Sequence, residues 1–196
     1  LSKTKVDSDG IKAWRERVGE AEAQRIMKEA AERGSVMHEM LERYVHTNNF
    51  DTPAHDAPIA HKMANLIISK GFIYLDEIWG VEQNIAYPNE YAGTMDCVGV
   101  YRKKPTILDF KQTNKPKREE WVEDYYLQLT AYICAHEKQY GKIDGGTILM
   151  ASTGLVFQEF ELSGSKLDEY KDKWWQRVEQ FKTNHAQPRQ ESLQKV

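Results

Sequence analysis

The sequence predicts an α/β fold, a central mixed β-sheet flanked by helices with N-terminal helices arching over one end, and three observations carry that expectation. Runs rich in valine, isoleucine, tyrosine and threonine lie near 78–87, 91–101, 106–111, 145–151 and 155–161, each of ordinary strand length. Segments with the helical repeat precede the first run, separate the third from the fourth and follow the fifth. The 196 residues, 40% hydrophobic and 11% aromatic, suit one domain with a real core and no staples. Its expected parts are a helical region over 1–71, a core over 72–183 and a polar tail over 184–196.

From Ile11 to about His46 the pattern is helical, with a break expected near Gly34 and a stripe formed by Met37, Met40, Leu41, Tyr44 and Val45. Thr52 and Pro53 read as the cap and first turn of a second helix that Gly71 ends. A helix from about Glu119 to Tyr140 places Trp121, Tyr125, Gln128 and Tyr132 on one stripe and turns Val122, Leu129 and Ile133 toward the core. The last two strands pair across Ser152-Thr153-Gly154. Ser165 and Asp168 form a capping box for a final helix through about Thr183, which buries Trp174, Trp175, Val178 and Phe181. The tail after Pro188 is polar and expected to fray.

The second and third strands form a hairpin across the basic loop at 102–105, and its length decides which side chains meet. With two loop residues, position 101 faces 104 and Asp96 falls opposite Asp109, so that Asp96, Asp109 and Lys111 share a face. Four loop residues keep all three together, whereas three would separate them. The loop has no Asn-Gly or Asp-Gly signal to choose between these lengths.

Facing carboxylates repel unless a positive group lies between them, and a divalent metal beside a phosphate is the natural occupant. Oxygen donors favour magnesium or manganese, and a lysine two residues on can polarise water or steady charge on a phosphate. The alternative for D-x-K alone is a solvated face with a salt bridge. The absence of clustered histidines and cysteines disfavours a zinc hydrolase.

Composition narrows the partners. The net charge is −3, which argues against an indiscriminate nucleic-acid coat, but 102–118 carries seven lysines and arginines against the single acid Asp109. That local balance of +6 leaves −9 elsewhere. Lys103 and Lys104 read as solvated loop residues, whereas Lys115, Lys117 and Arg118 directly follow the D-x-K strand and read as phosphate contacts. Cys97 and Cys134 are far apart and imply a reducing interior without a disulfide framework. No run approaches the ~18 apolar residues of a helical membrane span. The expectation is a soluble intracellular protein with no membrane partner, cytoplasmic, or in the mitochondrial matrix if a targeting segment has been removed.

Four stretches carry a resemblance: "RGSVMHEMLE" from Arg33 to Glu42, Gly93 to Asp96, Asp109-Phe110-Lys111, and "YYLQLTAY" from Tyr125 to Tyr132. In order and spacing they resemble the RecB-like branch of the PD-(D/E)XK nucleases, and "YAGTMDCVGVYRKKPTILDFKQTNKPK" with "QLTAY" is similar to its mitochondrial genome maintenance exonuclease type. The resemblance runs from about Arg33 to Phe181 and implies a PD-(D/E)XK core. It implies that Asp96, Asp109 and the Phe110 carbonyl ligate metal, that His38 is an additional ligand, and that Lys111 is the catalytic lysine. Glu82 falls, more loosely, where relatives place another acid. Gln128 and Tyr132 would support the site and the bound strand.

Read from the residues alone, His38 is more often a hydrogen-bonded structural histidine than a ligand, an order that the Arg33-Gly34 context and downstream motifs reverse, and Glu42 is either its orienting partner or a surface acid. The implied cofactor is Mg2+ or Mn2+, as one or two ions. An iron-sulfur cluster is not expected, because the members that hold one use four cysteines. The implied function is a metal-dependent deoxyribonuclease, an exonuclease on single-stranded DNA in replication, recombination or repair. Its strand contacts would be Arg33, Lys115, Lys117, Arg118, Trp121, Tyr125 and Tyr132. The alternatives are a structure-selective endonuclease and a catalytically idle nucleic-acid-binding module.

Overall fold

β-branched and aromatic residues at alternating positions give five strands that pair into one sheet in the order β1-β2-β3-β4-β5. They are β1 (Leu75–Tyr87), β2 (Tyr91–Tyr101), β3 (Lys104–Thr113), β4 (Gly145–Ser152) and β5 (Phe157–Ser163). The structure is a computed structural model and describes residues 9–49 and 54–185. β3 and β4 run parallel, joined by a crossover through helix α4 (Glu123–Gln139), and the other neighbours are antiparallel. The sheet is mixed and flanked by helices, as expected.

Alternation along β3 and β4 assigns two apolar cores to the two faces. Ile107 and Ile148 face α4 and α5 (Gly164–His185), joining Leu129, Ile133, Trp174 and Val178. Leu108, Phe110 and Leu149 face the opposite layer, α2 (Glu20–Thr47) and α3 (Ile59–Lys70), and meet Met37, Leu41, Met63 and Ile67. Each such fully buried aliphatic contributes about 1.5–3 kcal/mol. Val122, Leu129 and Ile133 are buried as anticipated, as are Trp174 and Val178, whereas Trp175 and Phe181 of the same helix are only half-buried; Cys97 and Cys134 are buried free thiols. Among the described residues no helix is long and apolar enough to cross a membrane.

Several boundaries differ from the sequence expectation. The first helical segment breaks at Gly19, not Gly34: α1 spans Asp9–Val18, Gly19 takes φ +85°, and α2 passes through Gly34 without interruption. Of Gly19 and Gly34, Gly19 alone adopts a backbone that L side chains resist. Gly34 costs about 1 kcal/mol relative to alanine, and the docking of Met37 and Leu41 in the same helix outweighs this.

The Thr52-Pro53 cap lies outside the described residues, and the helix it was meant to open starts at Ile59, after Pro58. Gly71 ends that helix in αR geometry, with φ −98°. It is required for close approach, because a Cβ there would meet Leu149 Cδ1 at 2.8 Å. Trp121 lies in a 3₁₀ turn (Glu119–Trp121) ahead of α4, off the α-helical stripe. The final helix begins at Gly164, one residue before the expected Ser165 cap.

Candidate active site

The hairpin loop has two residues. Tyr101 pairs with Lys104, and the ladder continues to Cys97 opposite Leu108. Arg102 and Lys103 take φ +49° and +66°, the paired left-handed geometry of a type I′ turn. Tertiary contacts hold these non-glycine residues there. Arg102 donates its N–H to the Tyr74 carbonyl at 2.9 Å, stacks its guanidinium 3.6 Å from the Tyr74 ring centre and pairs with Glu159. Lys103 donates its backbone N–H to Asp76 Oδ2 at 2.9 Å and pairs with it through Nζ. Lys103 is solvated as expected, its side chain 84% exposed, while its backbone N–H and ammonium pair with Asp76.

One step beyond the last ladder pair, Asp96 reaches across and accepts the Phe110 N–H through Oδ2 at 2.6 Å. The Phe110 carbonyl accepts His38 Nε2 at 2.9 Å, so that nitrogen carries a proton. His38 Nδ1 then lies 3.6 Å from Asp96 Oδ1 and 3.7 Å from Glu82 Oε1. Donor atoms of His38, Glu82 and Asp96 all fall within 4.8 Å of one another. Glu82 takes φ +48° in the middle of β1, a conformation that costs of order 1–3 kcal/mol and persists only where surroundings impose it.

Asp109 stands beside this trio. It is 1% exposed and held by Lys111, whose Nζ lies 2.6 Å from the carboxylate and donates its hydrogen bond to Oδ1. Asp109 Oδ2 shares the charge contact without a hydrogen bond of its own. The geometry thus brings together His38, Glu82 and Asp96 as one donor set and Asp109 with Lys111 as an adjoining ion pair. The Phe110 carbonyl, expected as a ligand, accepts His38 Nε2 and keeps a second lone pair.

The electrostatics follow from burial. Desolvation lifts Asp109 to about 6, against the opposing pull of Lys111, and lifts Asp96 above its ordinary value despite Lys111, His38 and the Phe110 amide. Burial alone would lower Lys111, yet the Asp109 and Asp96 carboxylates hold it above its usual value, so it remains cationic. Asp96 and Asp109 face one ammonium and Glu82 adds a third carboxylate beside Asp96 and His38, an excess of negative charge that a divalent cation would balance. Two carboxylates and one imidazole nitrogen also fit such an ion chemically.

The remaining candidates fall into distinct groups. Tyr125 is partly buried, with Lys111 Nζ 5.3 Å from its ring centre, and burial raises its phenol. Gln128 donates to the Tyr132 hydroxyl at 2.8 Å. Tyr132 is only 4% exposed, so its ring cannot receive a stacked base, and it is a packing residue beneath the site. Glu42 does not orient His38; it faces His46 at 3.8 Å on the helix surface.

Lys115, Arg118 and Trp121 lie exposed beyond β3, with Arg118 5.4 Å from the Trp121 ring centre. Arg33 is turned inward, donating to Gln112 Oε1 at 2.9 Å and Asn114 Oδ1 at 2.6 Å.

Two supporting glutamines were not legible in the sequence. Gln112 accepts from Arg33 and donates to the Ala30 carbonyl at 3.1 Å, clamping α2 to the end of β3 so that His38 reaches the sheet. Gln158 of β5 bonds both backbone groups of Lys117, at 2.7 and 2.8 Å, and anchors the basic loop. Neither carries a periodic or motif signal.

No known family profile matches the chain. It is 31% identical over 100 residues to mitochondrial genome maintenance exonuclease 1 of Xenopus tropicalis, a match covering 47% of this chain and 28% of that protein. The matched part is thus less than a third of that relative's length. The crystal structure of a candidate exonuclease from Eubacterium rectale is similar with a TM-score of 0.54 and 15% identity, over 81% of this chain and 69% of the other. That likeness concerns the fold, a mixed sheet flanked by helices.

Proposed function

We propose that this chain is a metal-dependent deoxyribonuclease of the RecB-like PD-(D/E)XK type, acting as an exonuclease on single-stranded DNA in replication, recombination or repair. The observation that carries this reading is the convergence of His38, Glu82 and Asp96 beside the Asp109–Lys111 pair. The partial match to an exonuclease in sequence supports it. The whole chain would act as one nuclease domain.

His38 through Nδ1, Glu82 and Asp96 would hold Mg2+ or Mn2+, with Asp109 adjoining; a bound ion would supply Lewis acidity toward a phosphate and lower the pKa of water. The chain's own groups do the rest. Lys111 is 18% exposed at its side chain and stays charged, so it can face the negative charge that builds on a phosphoryl oxygen. Asp109 fixes the position of that ammonium. The Tyr125 ring borders the same group, and Gln128, which donates to the Tyr132 hydroxyl, would support the site.

Lys115, Lys117 and Arg118 would contact backbone phosphates, and Trp121 and Tyr125 would stack bases. Arg33 would contribute by bracing α2 while its partly exposed guanidinium borders the strand path.

The test is an end-labelled linear single strand set against a covalently closed circular single strand and a blunt duplex, with Mg2+, Mn2+ or chelator. Metal-dependent loss of the linear strand alone is the expected result. Rapid cutting of the circle would replace the exonuclease by an endonuclease. Cleavage of none of them, with binding retained, would leave an idle binding module.

A further inference from the structure

Beyond the carboxylate site, a cleft of about 470 Å³ lies between β1 and the C-terminal end of α4. Its lining includes Gln83, Asn84 and Met95, which directly follow Glu82 and precede Asp96 in the chain, so it adjoins the donor set along both strands. Trp79 and Tyr140 contribute two large exposed rings, 50% and 70% accessible. The Trp79 indole is held by its Nε1–H, which donates to Glu77 Oε2 at 3.0 Å. Tyr140 sits against His136, with ring centres 5.2 Å apart. Lys142 supplies a cation, largely exposed and 3.8 Å from Asp144, and the lining contains no aspartate or glutamate.

We propose that this cleft is a nucleobase subsite for the single strand held at the carboxylates, with Trp79 and Tyr140 as stacking rings and Lys142 as a phosphate contact. The inference rests on the nuclease reading and deepens it, because it places one side of the strand along β1. The chemistry suits a base better than an apolar ligand. Exposed rings offer flat π faces to any base, and the Gln83 and Asn84 amides can donate to and accept from base edges. Trp79 is three residues from Glu82, roughly 10 Å along β1, and Gln83 and Met95 of the cleft each neighbour a donor residue in the chain. The volume falls in the usual range for pockets that enclose small organic groups.

The test measures binding of a fluorescent oligothymidylate and of an abasic oligonucleotide of equal length, with chelator present, by anisotropy over a range of salt. Trp79→Ala and Tyr140→Ala should each weaken oligothymidylate binding by about tenfold, the scale of one lost stack. Neither should change binding of the abasic strand or the salt slope, and Trp79→Phe should recover most of the loss. Both positions are well exposed, so the fold should survive, and circular dichroism checks this. Wild-type affinity in both alanine variants, or equal loss on the abasic strand, overturns the subsite. A wild-type protein that still cleaves linear strands in that case leaves the nuclease reading standing. Failure of the wild type both to bind and to cleave any strand overturns the two together.

Discussion

Asp96 occupies the place of a backbone acceptor in the β2–β3 ladder: its Oδ2 takes the Phe110 N–H at 2.6 Å where ladder pairing has ended at Cys97 and Leu108. One carboxylate oxygen is thereby fixed by the strand, and the other is turned toward His38. Phe110 serves both partners, since its carbonyl accepts His38 Nε2. Removing charge from Asp96 can therefore be separated from removing its scaffold bond.

Asp96→Asn keeps an oxygen able to accept the Phe110 N–H but loses the anion. We expect Mn2+ affinity, read by calorimetry, to fall at least tenfold and cleavage to drop below detection, while the melting temperature without metal holds or rises. Near-wild-type turnover would remove this site from the reaction.

Lys111→Ala leaves Asp109 buried without its cation. The expected loss is about 3–5 kcal/mol of stability, together with a fall of about 10²–10³ in turnover. The double variant Lys111→Ala/Asp109→Asn should regain much of the melting temperature and none of the activity. Equal stability of the single and double variants would show that the pair is not coupled.

The pH dependence of the metal-free protein follows from Asp109. Its folded value of about 6 lies above the unfolded value of about 3.9, so the folded state binds that proton more tightly. The associated stability is complete below pH ~4 and is lost as pH rises through about 6. Asp109→Asn lacks this titration. Its melting temperature relative to wild type should climb between pH 4 and 7, and a flat difference would contradict the burial of the charge.

Gln112→Ala breaks the clamp between α2 and β3. Each lost hydrogen bond is worth about 0.5–1.5 kcal/mol, so melting should fall by several degrees. Because α2 carries His38, Mn2+ affinity should weaken severalfold too. Wild-type metal affinity with lowered melting would confine Gln112 to a stabilising role.

Lys115→Ala and Lys117→Ala should weaken binding of single strands and reduce the salt slope by about 0.7 each, as for single phosphate contacts, with turnover at saturating substrate retained. An unchanged slope would assign these side chains to the solvent.

What the sequence determined by itself was local. Strand positions, helix existence, the buried faces of α4 and α5, and the shared face of Asp96, Asp109 and Lys111 for an even loop all follow from periods of two and 3.6 within contiguous residues. The tertiary structure alone decided the loop's length, because the left-handed turn at Arg102 and Lys103 is held by Tyr74, Asp76 and Glu159 from other elements. It also decided that Glu82 would bend out of regular strand geometry to face His38, and that Tyr132 would be buried while Trp79 and Tyr140 stay exposed. His38 and Phe110 are 72 residues apart, and their contact depends on how α2 docks across the sheet. Periodicity tells which face a side chain occupies on its own element. Which faces of distant elements meet is settled only by packing of the two cores, so the ligand trio became visible only in the folded chain.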